Sequence, residues 1–241
     1  MIVTRTAEIL AELYDEPLGA PRTDLPGRLV TMCAAAVPVT GAGIIVMTDA
    51  GPGAMLASTD GPARTMEELQ FALGEGPCVD ASRTGRPVLQ PCLADTAPHR
   101  WPGFAAGALA VGVRAVFAFP LQMGHIRVGV LDLYRDVAGP LDGKELTEAL
   151  AFADAATSVM LHLQAQTGPD RNHPQLVAMI ENRSEIHQAT GMVSVQAALG
   201  LAEALVLLRA HAYAAERPIL DIARDVLARS LRFDPEDDHH E

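Results

Sequence analysis

The sequence predicts an α+β unit followed by a small all-α unit. Two runs rich in β-branched and aromatic residues, VRAVFAFPLQ (113–122) and RVGVLDLYR (127–135), flank the short glycine-bearing link MGHI, the pattern of an antiparallel hairpin. LDGKELTEALAFADAATSVMLHLQAQ (141–166) then continues without a breaker and reads as one long helix. TGPDRNHP (167–174) interrupts it, and only helical patterns follow. Strands among helices, then a break and three helices, imply two domains with separate cores.

Each element has its own local reason. Ile9, Leu10 and Leu13 mark an amphipathic helix within the N-terminal segment 1–19, which is charged throughout and lacks the apolar core of a signal peptide. DLPGRLVTMCAAAV begins a helix near Asp24, with Pro26 tolerable in its first turn. GAGIIVMT (41–48) and GAMLAST (53–59) read as short strands joined across the turn formers DAGPG. MEELQFAL is a short helix. In LGEGPCVDASRTGRP (73–87), Gly74 and Gly76 shape a tight loop, Pro77 opens a helix and Gly85 closes it. PVLQ is a short strand, and 93–112 mixes loop signals with a small-residue helix ending at Gly112. On the long helix, Leu146, Leu150, Ala153, Met160 and Leu163 share one stripe, so it is expected to protrude and pair with a second chain. The expected organisation is an α+β domain over 20–166, a linker over 167–174, a three-helix domain over 175–233 and an acidic tail over 234–241.

Composition narrows the function classes. No apolar run approaches the roughly 18 residues of a membrane span, and three cysteines without CxxC spacing suit a reducing compartment. The expectation is a soluble cytoplasmic protein. A net charge of −12 argues against a general polyanion binder. Residues 175–233, however, carry 6 basic and 6 acidic side chains, so a specific RNA contact is compatible there.

Candidates for chemistry are few. GAGIIV and GEG lack GxGxxG or a P-loop lysine, and Lys144, the one lysine, starts a helix. The histidines, among them His99, His125, His162, His187 and His211, have no ligand spacing. Asp132 and Asp136 flank Tyr134 and read as strand-end surface acids. Cys33, Cys78 and Cys92 read as uncharged buried thiols, so the chain is not expected to be an enzyme.

SEIHQATGMVSVQAALGLAEALVLLRAHAYAAERPILDIARDVL (184–227) resembles the ANTAR family of RNA-binding antitermination domains. The matching features are Ala189-Thr190-Gly191, Glu203-Ala204, Leu208-Arg209-Ala210-His211-Ala212 and Ile222-Ala223. LQFALGEGPCVDA (69–81), RWPGFA (100–105) and the 113–135 hairpin resemble a GAF domain in the form found fused to ANTAR domains. The resemblance implies an antiparallel sheet of about six strands with flanking helices, fused to three helices that bind paired hairpin loops in a leader transcript. It also implies a homodimer and a small-molecule ligand of unknown identity in the GAF-like pocket, with Cys78, Trp101, Phe104 and Phe119 as ligand-binding candidates. The RNA-binding candidates are Arg183, Ala189, Thr190, Gly191, Arg209 and Ala212, with Arg217 and Arg224 as further positive charge nearby.

Two positions depart from the family pattern. Thr190 stands where many members have lysine, which removes a phosphate contact, and Gly200 stands where a serine commonly caps the second helix. A helical output domain that binds protein rather than RNA is the alternative. Free methionine sulfoxide reductases share the GAF-like fold, and Cys78 resembles one of their positions, but 97–112 lacks their further cysteine. Gly191 poses a physical question, because glycine weakens a helix by about 1 kcal/mol relative to alanine. Either a neighbouring helix packs closely there or something outside the protein does.

Overall fold

The computed structural model describes residues 2–15, 24–48, 51–59, 61–166 and 174–233, with side chains in the last segment from Ser184 onward. The chain divides into two compact units, one of residues 1–71 and 75–173, the other of residues 174–241 with 72–74. The expected linker 167–173 and the acidic tail 234–241 lie outside the described residues.

In the first unit the helices are α1 (Ile2–Tyr14), α2 (Leu25–Ala36), α3 (Pro62–Leu73), α4 (Pro77–Thr84), α5 (Ala97–Arg100), α6 (Pro102–Ala110) and α7 (Gly143–Gln166). The strands are β1 (Gly41–Thr48), β2 (Gly51–Ser58), β3 (Val88–Gln90), β4 (Ala115–Met123) and β5 (Ile126–Arg135). They form one sheet in the order β2-β1-β5-β4-β3, five strands among the described residues where about six were expected. Every adjacent pair is antiparallel. The local signals act as expected. Asp24 caps α2 by accepting from the Gly27 N–H at 2.9 Å, and Gly85 ends α4 in the left-handed conformation, φ 66°.

Both faces of the sheet are covered, which explains why β4 and β5 are almost continuously apolar. Ala115, Phe117, Phe119 and Leu121 of β4, with Leu131 and Leu133 of β5, join the core formed with α1, α2 and α7. Residues of opposite parity, Val116, Ala118, Val130, Asp132 and Tyr134, lie on the α3–α4 side.

Helix α7 differs from the expectation of a protruding dimerisation helix. From Ala149 to Leu163 it is folded along its own unit, buried through Phe152, Ala155, Ala156, Val159 and Met160 as well as Ala153. Helix α1 covers one side of it with Ile9 and Leu13, and Arg5 donates to Glu148 at 2.7 Å across the same junction. The sheet covers another side, so the apolar surface is wider than the single stripe suggests.

The second unit holds α8 (Pro174–Gln196), α9 (Leu201–Ala214) and α10 (Ile219–Leu227). Its core is Ile186, Ala189, Val193, Ala204, Leu205, Leu208, Ile219, Ile222, Ala223 and Val226. Glycine replaces the expected cap serine at 200, and Glu203 accepts from the Gly200 N–H at 3.0 Å, retaining half of a capping box. No single helix among the described residues is long and apolar enough to cross a membrane. Ser184–Gln196 and Leu201–Ala214, bent by 105°, pass that test only as a pair.

Candidate functional site

Beneath α3 and α4 the sheet carries a buried polar cluster that sequence reasoning missed. Asp132 was expected at the surface, but it lies fully buried in the middle of β5, opposite Gly43 of β1 and Ala118 of β4. Those small neighbours leave room for side chains arriving from α3. Gln70 is the hub: its Nε2 donates to Asp132 Oδ2 at 3.2 Å and to Tyr134 Oη at 3.3 Å. Its Oε1 accepts from the Cys78 backbone N–H at 2.7 Å. Tyr134 Oη donates to Glu67 Oε1 at 2.8 Å.

Two glycines are required here. A Cβ on Gly43 would lie 2.6 Å from Glu67 Oε1, and one on Gly76, whose φ is 133°, would lie 2.7 Å from Gln70 Oε1.

The donors reaching the Asp132 carboxyl from Gln70 and the nearby Tyr134 are neutral, so burial dominates its titration. Burial pushes the Asp132 carboxyl up to about 7, against the opposing pull of hydrogen bonds from Gln70, Tyr134 and Cys78. Burial, followed by the Asp132 and Glu67 charges, raises the Tyr134 phenol well above its ordinary value. Asp132 Oδ1 is buried without a hydrogen-bond partner. Chemically the cluster holds a proton near neutral pH. The signal available in the sequence was the apolar run around Asp132 on both sides, the mark of a strand with no wet face.

The four ligand-binding candidates divide between the two faces. Cys78 joins the Gln70 hub, while Trp101 Nε1 donates to Asp80 at 3.1 Å and the Trp101 ring meets Phe104 edge-on at 6.2 Å. Asp80 also pairs with Arg100 at 2.7 Å, and the Phe104 N–H donates to Glu75 Oε1 at 2.8 Å. Phe119 lies in the α1–α2–α7 core on the opposite face, because it is one residue out of phase with Ala118, the partner of Asp132. All four are buried, so a ligand would have to displace structure to touch them. Cys33 is also buried, and burial pushes its thiol up, whereas Cys92 is half-buried. Asp136, unlike Asp132, is exposed as expected. Among the described residues no group of His, Cys, Asp and Glu could hold a metal ion.

In the three-helix unit the RNA-binding candidates separate by burial. Ala189, Thr190 and Ala212 belong to the helix core, which corrects their expected role as contact residues. The Thr190 hydroxyl is turned inward and donates to the Ile186 carbonyl at 2.7 Å. Arg209 is half-buried on α9, and the Arg183 side chain lies outside the described residues. Arg217 pairs with Asp225 at 2.8 Å and Arg224 with Glu185 at 3.1 Å, so both charges are partly neutralised.

Gly191 answers the question raised by its sequence. A Cβ there meets nothing within 4 Å, so helix packing does not require glycine. It opens instead on a groove of about 750 Å³ whose lining includes Met192, Val195, Leu227, Arg229 and Arg232. Replacing Gly191 with alanine should therefore stabilise this unit by about 1 kcal/mol. Circular-dichroism melting would register that as a raised midpoint, and a lowered one would mean that the groove does not tolerate a methyl group.

Comparisons agree with the first unit's architecture. A family model described as GAF domain matches residues 23–160. The GAF domain of an Acinetobacter phosphoenolpyruvate-protein phosphotransferase is similar at 14% identity, over 69% of this chain and 96% of that one, with a TM-score of 0.50. A domain of a two-component sensor histidine kinase protein from Sinorhizobium meliloti 1021 matches at 14% identity, over 61% and 96%, also with a TM-score of 0.50. The reduced form of fRMsr of Staphylococcus aureus matches at 11% identity, over 66% and 95%, with a TM-score of 0.48. No curated protein matches the sequence. The three-helix unit lies outside the matched span, which covers more than half of the chain: the protein belongs to the GAF domain family, whose members are generally sensory.

Proposed function

We propose that the chain is a signal-responsive antitermination regulator whose three-helix unit binds paired RNA hairpin loops under control of the GAF unit. The observation that carries this reading is Gly191. It sits in the Ala189-Thr190-Gly191 run that resembles the ANTAR pattern, and its open surroundings leave its helix-weakening presence without a packing reason. A residue kept small at an accessible groove suits close approach by an external chain.

The mechanism is physical, with no bond made or broken. Holding two loops in one arrangement favours the antiterminated fold over the terminator, and a few kcal/mol of differential binding suffices to reverse that choice. Homodimerisation would strengthen it by presenting two linked sites. The GAF unit supplies the signal, from a small molecule bound on its α3–α4 side, where the Asp132 cluster lies. The regulator acts in the cytoplasm, where nascent transcripts are found.

The second reading is a protein partner for the helical unit. Val206 and Tyr213, 62% and 71% exposed on α9, favour it, as does the net charge of −12. Crosslinking in the host cells separates the two. Transcripts with two adjacent hairpins attached to the full-length chain are the expected result. Recovery of no RNA under any growth condition would favour the protein partner.

A further inference from the structure

Five arginines of the three-helix unit have described side chains, and they are not equivalent. Arg217 is paired with Asp225, and Arg224 with both Glu185 and Asp221. Arg209 is half-buried on α9. Arg229 and Arg232 are exposed and have no ion-pair partner among the described residues, and both line the groove onto which Gly191 opens. They lie beyond the 184–227 segment that resembles the ANTAR pattern, on the turn that follows α10.

That turn is held in an uncommon shape. Arg229 adopts φ 61°, a left-handed conformation in which glycine would be the less strained residue. The Arg229 N–H donates to the Val226 carbonyl at 3.0 Å and the Ser230 N–H to the Asp225 carbonyl at 2.9 Å, closing the helix as a left-handed cap does. A long cation thus occupies a position where the backbone favours glycine. Downstream, the Phe233 N–H donates to Gln196 Oε1 at 3.1 Å, and the Phe233 ring meets His211 at 5.3 Å, so both ends of the segment bearing Arg232 are tied to the bundle.

We infer that the α8 groove is a phosphate-binding site in which Arg229 and Arg232 grip the sugar–phosphate backbone of an RNA loop as it passes over Gly191. The inference rests on the RNA-binding reading and names its contact surface. Charge complementarity identifies the occupant: an apolar floor at Met192 and Leu227 accepts sugar or base faces, while guanidinium groups at the rim match phosphate oxygens in geometry and charge. The bound strand must come close to the helix backbone, and a side chain at 191 would project into its path.

The test uses full-length protein and the transcripts that crosslink to it in its host cells. Mass spectrometry of the crosslinked peptides should place RNA on 188–196 and 227–232. Arg229→Gly keeps the turn, since glycine accepts its φ, and removes the guanidinium with its stem; Arg232→Gln removes the charge at the rim while keeping a polar side chain. Each should weaken binding of a recovered transcript about tenfold and reduce the slope of log affinity against log salt by about 0.7 to 1. Gly191→Leu should abolish binding while the melting midpoint stays at or above that of wild type. If wild type crosslinks to no RNA, the functional reading itself fails. If wild type binds RNA but the crosslinks map to α9 and both arginine variants keep affinity and salt slope, this groove assignment fails alone.

Discussion

Replacing Asp132 with asparagine should make the GAF unit more stable than wild type near pH 8 and no more stable near pH 5. An aspartate titrates near 3.9 in an unfolded chain, whereas burial raises it to about 7 in the folded one. Between those values the folded protein holds a proton that the unfolded chain has released. Stability therefore falls as pH rises through this window, and the loss is complete above the folded value. A gap of roughly three units is worth about 4 kcal/mol. Asparagine never ionises, but its extra N–H groups face a buried position where Asp132 Oδ1 has no partner. Leaving them unsatisfied costs about 1–2 kcal/mol. The net gain near pH 8 should be about 2 kcal/mol, changing sign or vanishing near pH 5.

Tyr134 contributes in the same direction at higher pH, because its raised phenol stays neutral in the folded state while the unfolded one ionises near 10. Trp101, the one tryptophan, is buried in this unit and reports its unfolding in urea. Identical pH profiles for variant and wild type would show that Asp132 ionises without cost and that the cluster is wetter than its burial indicates.

Gly129→Ala should be among the most destabilising single-methyl additions in the chain, costing about 3 kcal/mol. The new Cβ would press on the Ile45 carbonyl oxygen and lie 3.0 Å from Met160 Sδ and Cε. The methionine end can swing aside. The carbonyl cannot, because Ile45 and Gly129 lie in the β1–β5 ladder, where Ile45 faces Val130 and Val46 faces Gly129. Gly143→Ala is the matched control, with nothing within 4 Å of its Cβ, and should shift stability by less than about 0.5 kcal/mol. Equal urea midpoints for the two variants would mean that β1 and β5 separate easily at this point, contrary to their continuous register.

The elements with strong local signals were legible in advance. Asp24 and Pro26 announce α2, Gly85 ends α4, and the MGHI link joins β4 to β5 as its glycine suggests. The three C-terminal helices follow from their patterns because short loops leave little choice of partner. The candidate sites were less legible. The resemblance groups Phe119 with Cys78, yet strand parity puts Phe119 on the opposite face of the sheet, in the α1–α2–α7 core. The resemblance likewise groups Ala189 and Thr190 with Gly191, yet successive helix positions point about 100° apart and two of the three face the core.

What the sequence determined by itself was the order of elements, the two-unit organisation and the resemblance of its first unit to GAF domains, because capping residues, turn residues and hydrophobic period act over a few neighbours. What the tertiary structure decided was which side chains share a dry environment. Asp132 is a buried proton holder only because α3 brings Gln70 and Glu67 across from sixty-odd positions away. Gly191 opens on a groove that is assembled only when Leu227, Arg229 and Arg232, distant in sequence, are brought beside α8. Burial depends on atoms distant in the chain, and no local pattern records their arrival.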